Sequence, residues 1–272
     1  MEGVESMSEQ QTLYLLELKH NKQLIHILRA FLFIGFLVLW EVSGRLGLIN
    51  TFFFSSPWRI TLTFCDLLKN GNLLSHIGYT LFETIISFLL VTGFSILTSI
   101  VLWSCKTASD VSEPFLVILN ALPKSALAPL FIVWLGTGMK TIIVAGISVT
   151  IFGSIINIYN GFKHVEQDKI KLIYTLGGNK KDVLIKIVLP QNIPNIISNM
   201  KVNIGLSLVG VIIGEFLAAR RGLGYLIIYG SQVFQLDMVL MSIMLLCIIA
   251  ITFYGFIHLL ERKICHSPLS NE

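Results

Sequence analysis

Charge is scarce in this chain. Only 13% of its 272 residues are Asp, Glu, Lys or Arg, while 54% are hydrophobic, and the mean hydropathy is +0.77. A water-soluble domain carries about 25% charged residues, so a soluble globular fold is excluded. Cysteine is equally sparse. Cys65, Cys105, Cys247 and Cys265 form no C-x-x-C pair, which argues against a disulfide framework or a cysteine metal site. His76, His164 and His258 lack metal-ligand spacing, so no metal is expected. No Gly-rich phosphate loop of the G-x-x-x-x-G-K type occurs, so the chain is not expected to hydrolyse ATP alone. No basic stripe is interleaved with exposed aromatics, which excludes nucleic acid as a partner. Glu2, Glu5 and Glu9 precede any apolar run, so the N-terminus does not read as a cleaved signal peptide.

What the chain does have is long apolar runs. A stretch of about 20 apolar residues crosses the hydrocarbon core of a bilayer. On that criterion the sequence predicts an all-α integral membrane protein with about six transmembrane helices. The expected spans are Leu28 to Trp40 plus a turn, Tyr79 to Trp103, Pro114 to Leu135, Thr141 to Tyr159, Ile193 to Leu217 and Met238 to Leu260. The third contains Pro123 and Pro129, and Glu113-Pro114 reads as its first turn. Ser56-Pro57-Trp58 opens an amphipathic helix running to Lys69, expected at the outer interface. Residues 1–27 form an N-terminal segment, 28–263 the membrane domain and 264–272 a tail, with no soluble domain and no internal repeat.

Lys and Arg are unevenly placed along these loops. One side collects Lys19, Lys22, Arg29, Lys106, Lys163, Lys169, Lys171, Lys180, Lys181, Lys186, Arg262 and Lys263. The other collects Arg45, Arg59, Lys69, Lys140, Arg220 and Arg221. Positively charged loops stay in the cytoplasm, so both termini and residues 163–190 are expected there, in a bacterial plasma membrane.

The loop at 163–190 is the polar island of the sequence. Asp168 to Leu176 predicts a short helix with Ile170, Ile173 and Tyr174 on one side. Gly177-Gly178 closes it, because glycine accepts the left-handed conformation that ends a helix. Asn179 caps a second helix with Asp182 in its first turn, and Pro190 and Pro194 punctuate entry to the fifth span. A basic loop that only sets topology is the plain alternative.

Here the sequence resembles a known pattern. Permeases of ABC importers carry a loop reading E-A-A, three residues, G, nine residues, I, one residue, L-P. Lys171-Leu172-Ile173, Gly177, Ile187, Leu189 and Pro190 stand in that register, with Lys171 in place of the glutamate. The stretch from Leu119 to Gly138 looks like the third-span signature of the nitrate, sulfonate and taurine branch. Glu215 followed by Gly222-Leu-Gly-Tyr-Leu226 resembles its segment after the fifth span. The resemblance implies a type I importer permease working as a homodimer with two cytoplasmic ATP-binding subunits. Those subunits would bind ATP and Mg, and the chain itself would hold no cofactor. An extracytoplasmic binding protein would deliver solute, and the loop would act as a coupling helix through Lys171, Gly177, Gly178, Ile187, Leu189 and Pro190. Transport would proceed by alternating access. The branch favours small anions such as sulfonates or nitrate, with thiamine precursors and other small heterocycles as the alternative. A rival class, an ion-gradient-driven transporter or channel, would favour acids in several spans, and only Glu83 and Glu215 qualify.

Some span residues invite a site reading. Charge at the bilayer centre costs at least about 2.5–3.5 kcal/mol. Lys124 therefore either faces a translocation path or bonds carbonyls freed by Pro123 and Pro129. Asn120, Ser125, Asn203, Ser207 and Glu215 are further candidates for that path, or simple helix contacts. Glu215 could gate the outer side or pair with Lys124, which lies at a different depth. Gly222 and Gly224 form a tight outer loop, either a gate or a turn needing unusual backbone angles.

Overall fold

The computed structural model describes residues 9–265, entirely as helices and their connections. The first eight residues and the tail from 266 lie outside the described residues. Contacts divide the chain at Leu62 and Thr63 into two units.

In the first unit, α1 runs Glu9–Arg45 and contains the first expected span, extended to Ile27–Arg45. Its end is tied to the following segment by Glu41. That carboxylate accepts from Arg45 Nε at 2.7 Å and from the backbone N of Trp58 at 3.0 Å. Asn50 caps the single turn α2, Thr51–Phe54. The amphipathic helix predicted from Pro57 is present as α3, Pro57–Lys69, which crosses into the second unit.

The second unit holds α4 (Asn72–Ser104), α5 (Lys106–Ala121), α6 (Lys124–Leu135), α7 (Met139–Lys163), α8 (Gln167–Thr175), α9 (Lys180–Ala218), α10 (Leu223–Gln232) and α11 (Leu236–Cys265). Among the described residues, five helices are long and apolar enough to cross a membrane, or six if α5 and α6 count as one bent span. The expected third span is thus corrected: α5 and α6 meet at 95°. Pro123 has no N–H to continue α5, and it forces Leu122 into extended backbone at φ −60°, ψ 137°. Glu113-Pro114 does not start this span either, because the helix begins at Lys106 and Pro114 lies within it.

The fifth span also differs from expectation. No break separates the second loop helix from it; Lys180–Ala218 is one 39-residue helix. Leu184–Val188 winds as a π-helix immediately before Pro190. The wider turn absorbs the missing N–H of Pro190 without ending the helix. Helix α10 was not foreseen, because ten residues are too few for a span.

α4, α7 and α9 form the centre of this unit. Small residues let α7 and α9 touch at backbone level, and a Cβ added at Gly210 would stand 2.8 Å from the Gly146 Cα. Buried hydroxyls bond main-chain carbonyls across helices, as Ser87 Oγ does to Ile143 O and Ser99 Oγ to Ile155 O. In a bilayer, where lipid is as apolar as leucine, such close packing and polar contacts hold helices together.

Candidate functional site

Three places carry chemistry. The first is the basic loop. α8 ends in a Schellman closure: Gly178 N donates to Ile173 O at 2.9 Å, Gly177 N to Tyr174 O at 3.0 Å, and Gly177 has φ 81°. Gly178 is fixed by space, since a Cβ there would meet Ile173 Cγ2 at 2.5 Å. Asn179 and Asp182 make a reciprocal capping box at the start of α9, each bond 3.0 Å. The loop is clamped onto the ends of α4 and α7. Val183 and Val188 are fully buried with Ile158, Phe162 and Val165, and Ile170, Ile173, Ile187 and Leu189 pack against that cluster. Lys180 adds a bond from Nζ to Ser104 O at 2.7 Å, capping α4, while lying over the Trp103 ring.

One sequence expectation changes here. Tyr174 is exposed, whereas Ile170 and Ile173 pack against the buried cluster. Ile187 and Leu189 point into the protein, so they position the loop from within, whereas Pro190 is exposed. The outward apolar face is Leu172 and Leu176, with Leu176 74% exposed, and Tyr174 and Ile185 are likewise exposed. Lys171 pairs with Asp168 at 3.1 Å, so its charge is answered inside the loop.

The second place is the break between α5 and α6. Lys124 Nζ donates to Leu119 O at 2.6 Å and Asn120 O at 2.5 Å, the open carbonyls of the last turn of α5. A cation is favoured at that helix end. Its Nζ also sits 5.8 Å from the centre of the Phe152 ring. Asn120 leans on α7, with Oδ1 3.2 Å from where a Cβ on Gly153 would stand. Asn120 and Ser125 are exposed beside it. Ser207 and Asn203 are not part of this group. Both are buried, and Asn203 Nδ2 donates to Ser154 Oγ at 2.8 Å in a polar ladder that Asn199 shares.

The third place joins α4 to the α9–α10 connection. Glu215, 1% exposed, accepts from Thr80 Oγ1 at 2.6 Å through Oε1 and from Gly224 N at 2.5 Å through Oε2, and the backbone of Tyr225 also donates to it. A carboxylate therefore caps the N-terminus of α10. Leu223 N donates to Thr80 Oγ1 at 2.8 Å, and Gly222 N to His76 Nδ1 at 3.0 Å. Gly222 has φ 122°, and a Cβ on Gly224 would lie 2.7 Å from Glu215 Oε2. Both glycines are required by the carboxylate they wrap. Lys124 and Glu215, considered as a pair, are held by different partners.

Sequence reasoning missed the α4 side of this latch. The signal was available: His76, Thr80 and Glu83 recur at i, i+4 and i+7, one helix face. Glu83 is 1% exposed and in hydrogen-bonding contact with Glu215.

The geometry fits a membrane component with a break between α5 and α6 and a helical loop held on the ends of α4 and α7, and similar proteins are known. The family described as "Binding-protein-dependent transport system inner membrane component" matches residues 92–266. A Bacillus subtilis protein described as an aliphatic sulfonates transport permease is 27% identical, over 84% of this chain and 83% of its own length. The formylaminopyrimidine transport permease protein of Halalkalibacterium halodurans is 28% identical, over 71% and 76%. Among solved structures, an inward-facing form of the MetNI methionine ABC transporter superposes with a TM-score of 0.64 at 16% identity, covering 71% of this chain and 95% of that one. That likeness speaks to the fold.

Proposed function

We propose solute, partners and orientation for a chain that belongs to the binding-protein-dependent transport system inner membrane component family, and is thus a permease component of an ABC importer. Permeases of this kind work with ATPase and binding-protein partners and are transport proteins, with no catalytic residue required of them. The finer reading is as follows. The loop of α8 and the start of α9 is the coupling element, seated on a separate cytoplasmic ATPase subunit that holds ATP and Mg. The exposed Leu172 and Leu176 carry that reading, because a loop clamped from below with apolar side chains turned outward has a face built to be covered. Both termini lie in the cytoplasm, following the basic loops.

The break at Leu122-Pro123 lines the translocation path, with Asn120, Lys124 and Ser125 as its polar groups. Irregular backbone at membrane depth persists only where protein or a water-filled cavity covers it. A second copy of the chain supplies that cover, giving a homodimer. Lys124 favours an anionic solute, in line with the sulfonate relative, while the formylaminopyrimidine relative supports the heterocycle reading. The test is uptake into proteoliposomes holding the permease, its ATPase and its binding protein. ATP-dependent uptake of a sulfonate, lost in Lys124→Met while the variant stays folded, supports the reading. Unchanged uptake in Lys124→Met removes that lysine from the path, and uptake without any ATPase subunit overturns the importer mechanism.

A further inference from the structure

A cleft of about 490 Å³ opens beside the third place, at the end of α4, α7 and α9 opposite the basic loop. Tyr79, Thr137, Met139, Ile142, Arg220 and Arg221 line it. Both arginines are exposed, and among the described residues neither is paired with an acid. Glu83, the acid in the wall, is 1% exposed and hydrogen-bonded to the Glu215 carboxyl, so it does not answer them. Arg221 is already oriented. Its guanidinium lies 5.5 Å from the centre of the Tyr79 ring and donates to the Tyr79 hydroxyl at 3.4 Å. A guanidinium with open N–H groups matches a carboxylate in two-bond geometry. Lys69 and Lys140 are exposed at the same end of the bundle but outside the cleft.

We infer that this cleft is a docking socket for the importer's binding protein, receiving exposed carboxylate side chains of that partner at Arg220 and Arg221. This rests on the importer reading and names where on the chain the partner seats. The end of the bundle opposite the coupling loop is the end a delivering protein reaches. The arginines stand on the connection between α9 and α10, outside the spans, where a protein surface meets them first. Met139 and Ile142 offer apolar contact to the methylene stem of a glutamate. Charges of this kind give approach rate and orientation more than raw affinity, which suits a partner that must also leave. Arg221 directly precedes Gly222, whose N donates to His76 Nδ1 at 3.0 Å. A docked carboxylate therefore loads the same connection that the latch ties to α4.

The test is ATP hydrolysis by the permease–ATPase complex in lipid nanodiscs, titrated with the importer's purified binding protein. Arg220→Gln with Arg221→Gln should raise the half-saturating concentration of binding protein about tenfold, or about 1.4 kcal/mol, and keep the maximal rate. Lys69→Gln with Lys140→Gln removes the same charge outside the cleft and should leave half-saturation within about twofold of the wild type. Added salt should weaken docking to the wild type more than to the arginine variant, because exposed charges are screened. The inference is overturned if the arginine variant half-saturates as the wild type does, or if the lysine pair weakens docking equally. Unchanged half-saturation with a reduced maximal rate also overturns it, and gives the arginines to the solute's route. Should the double variant not assemble, Arg220→Gln alone decides, with a rise of about threefold expected. A wild-type complex that the binding protein does not stimulate, or that moves solute without an ATPase, refutes the importer reading itself, so the two failures are distinguishable.

Discussion

Replacing Thr80 with Val is a sharp probe of the latch, because it removes one oxygen and keeps the shape. That oxygen donates to Glu215 Oε1 at 2.6 Å and accepts from Leu223 N at 2.8 Å. Thr80 is fully buried, so water cannot replace either bond. A single interhelical hydrogen bond in a membrane protein averages about 0.6 kcal/mol, with an upper value of about 1.7. Two bonds are lost here, and bonds to charged groups lie at the strong end. The expected cost is about 2–3 kcal/mol. Ser87→Ala is the internal reference, since it deletes one 3.3 Å bond to a carbonyl and should cost about 0.6 kcal/mol. The assay is SDS-induced unfolding in mixed micelles, followed by circular dichroism. A double-mutant cycle with Glu215→Gln should show coupling of about 1 kcal/mol, as for residues sharing one network. If Thr80→Val costs no more than Ser87→Ala, the latch is not the stabilising device described.

Other expectations are simpler. Gly224→Ala pushes a methyl to 2.7 Å from Glu215 Oε2 and should loosen α10, read as faster hydrogen exchange at residues 223–226. Asn179→Ala removes the capping box of α9 and should lower stability by about 1 kcal/mol in the same unfolding assay. Lys171→Glu exchanges an exposed i,i+3 pair with Asp168 for a like-charge contact and should change stability by less than about 1 kcal/mol. A large loss there would mean that Lys171 has a further structural role.

Much of this was legible in sequence, and the exceptions have physical causes. The apolar runs gave the helices, and Gly177-Gly178 with Asn179 and Asp182 gave the loop closure, because caps are local chemistry. The break at Pro123 was visible as a proline, but its 95° turn depends on how α5 and α6 pack. Pro190 misled in the opposite sense: a π-turn absorbed it and the helix ran on. Ile187 and Leu189 read as coupling residues through the resemblance, yet they face inward, because the stretch is helical and packs this side on the buried cluster. In sequence Glu83 reads only as one of two acids in the spans, beside Glu215. Its partner lies 132 positions away, and only tertiary packing joins them.

The central claim is that the outward face of α8 seats the ATPase. The most direct measurement is copurification of the ATPase with the permease carrying Leu172→Asp and Leu176→Asp, both exposed positions whose substitution leaves the buried cluster intact. The account predicts that the ATPase is lost while the unfolding midpoint is unchanged. An ATPase that stays bound and still drives uptake through this variant would contradict it.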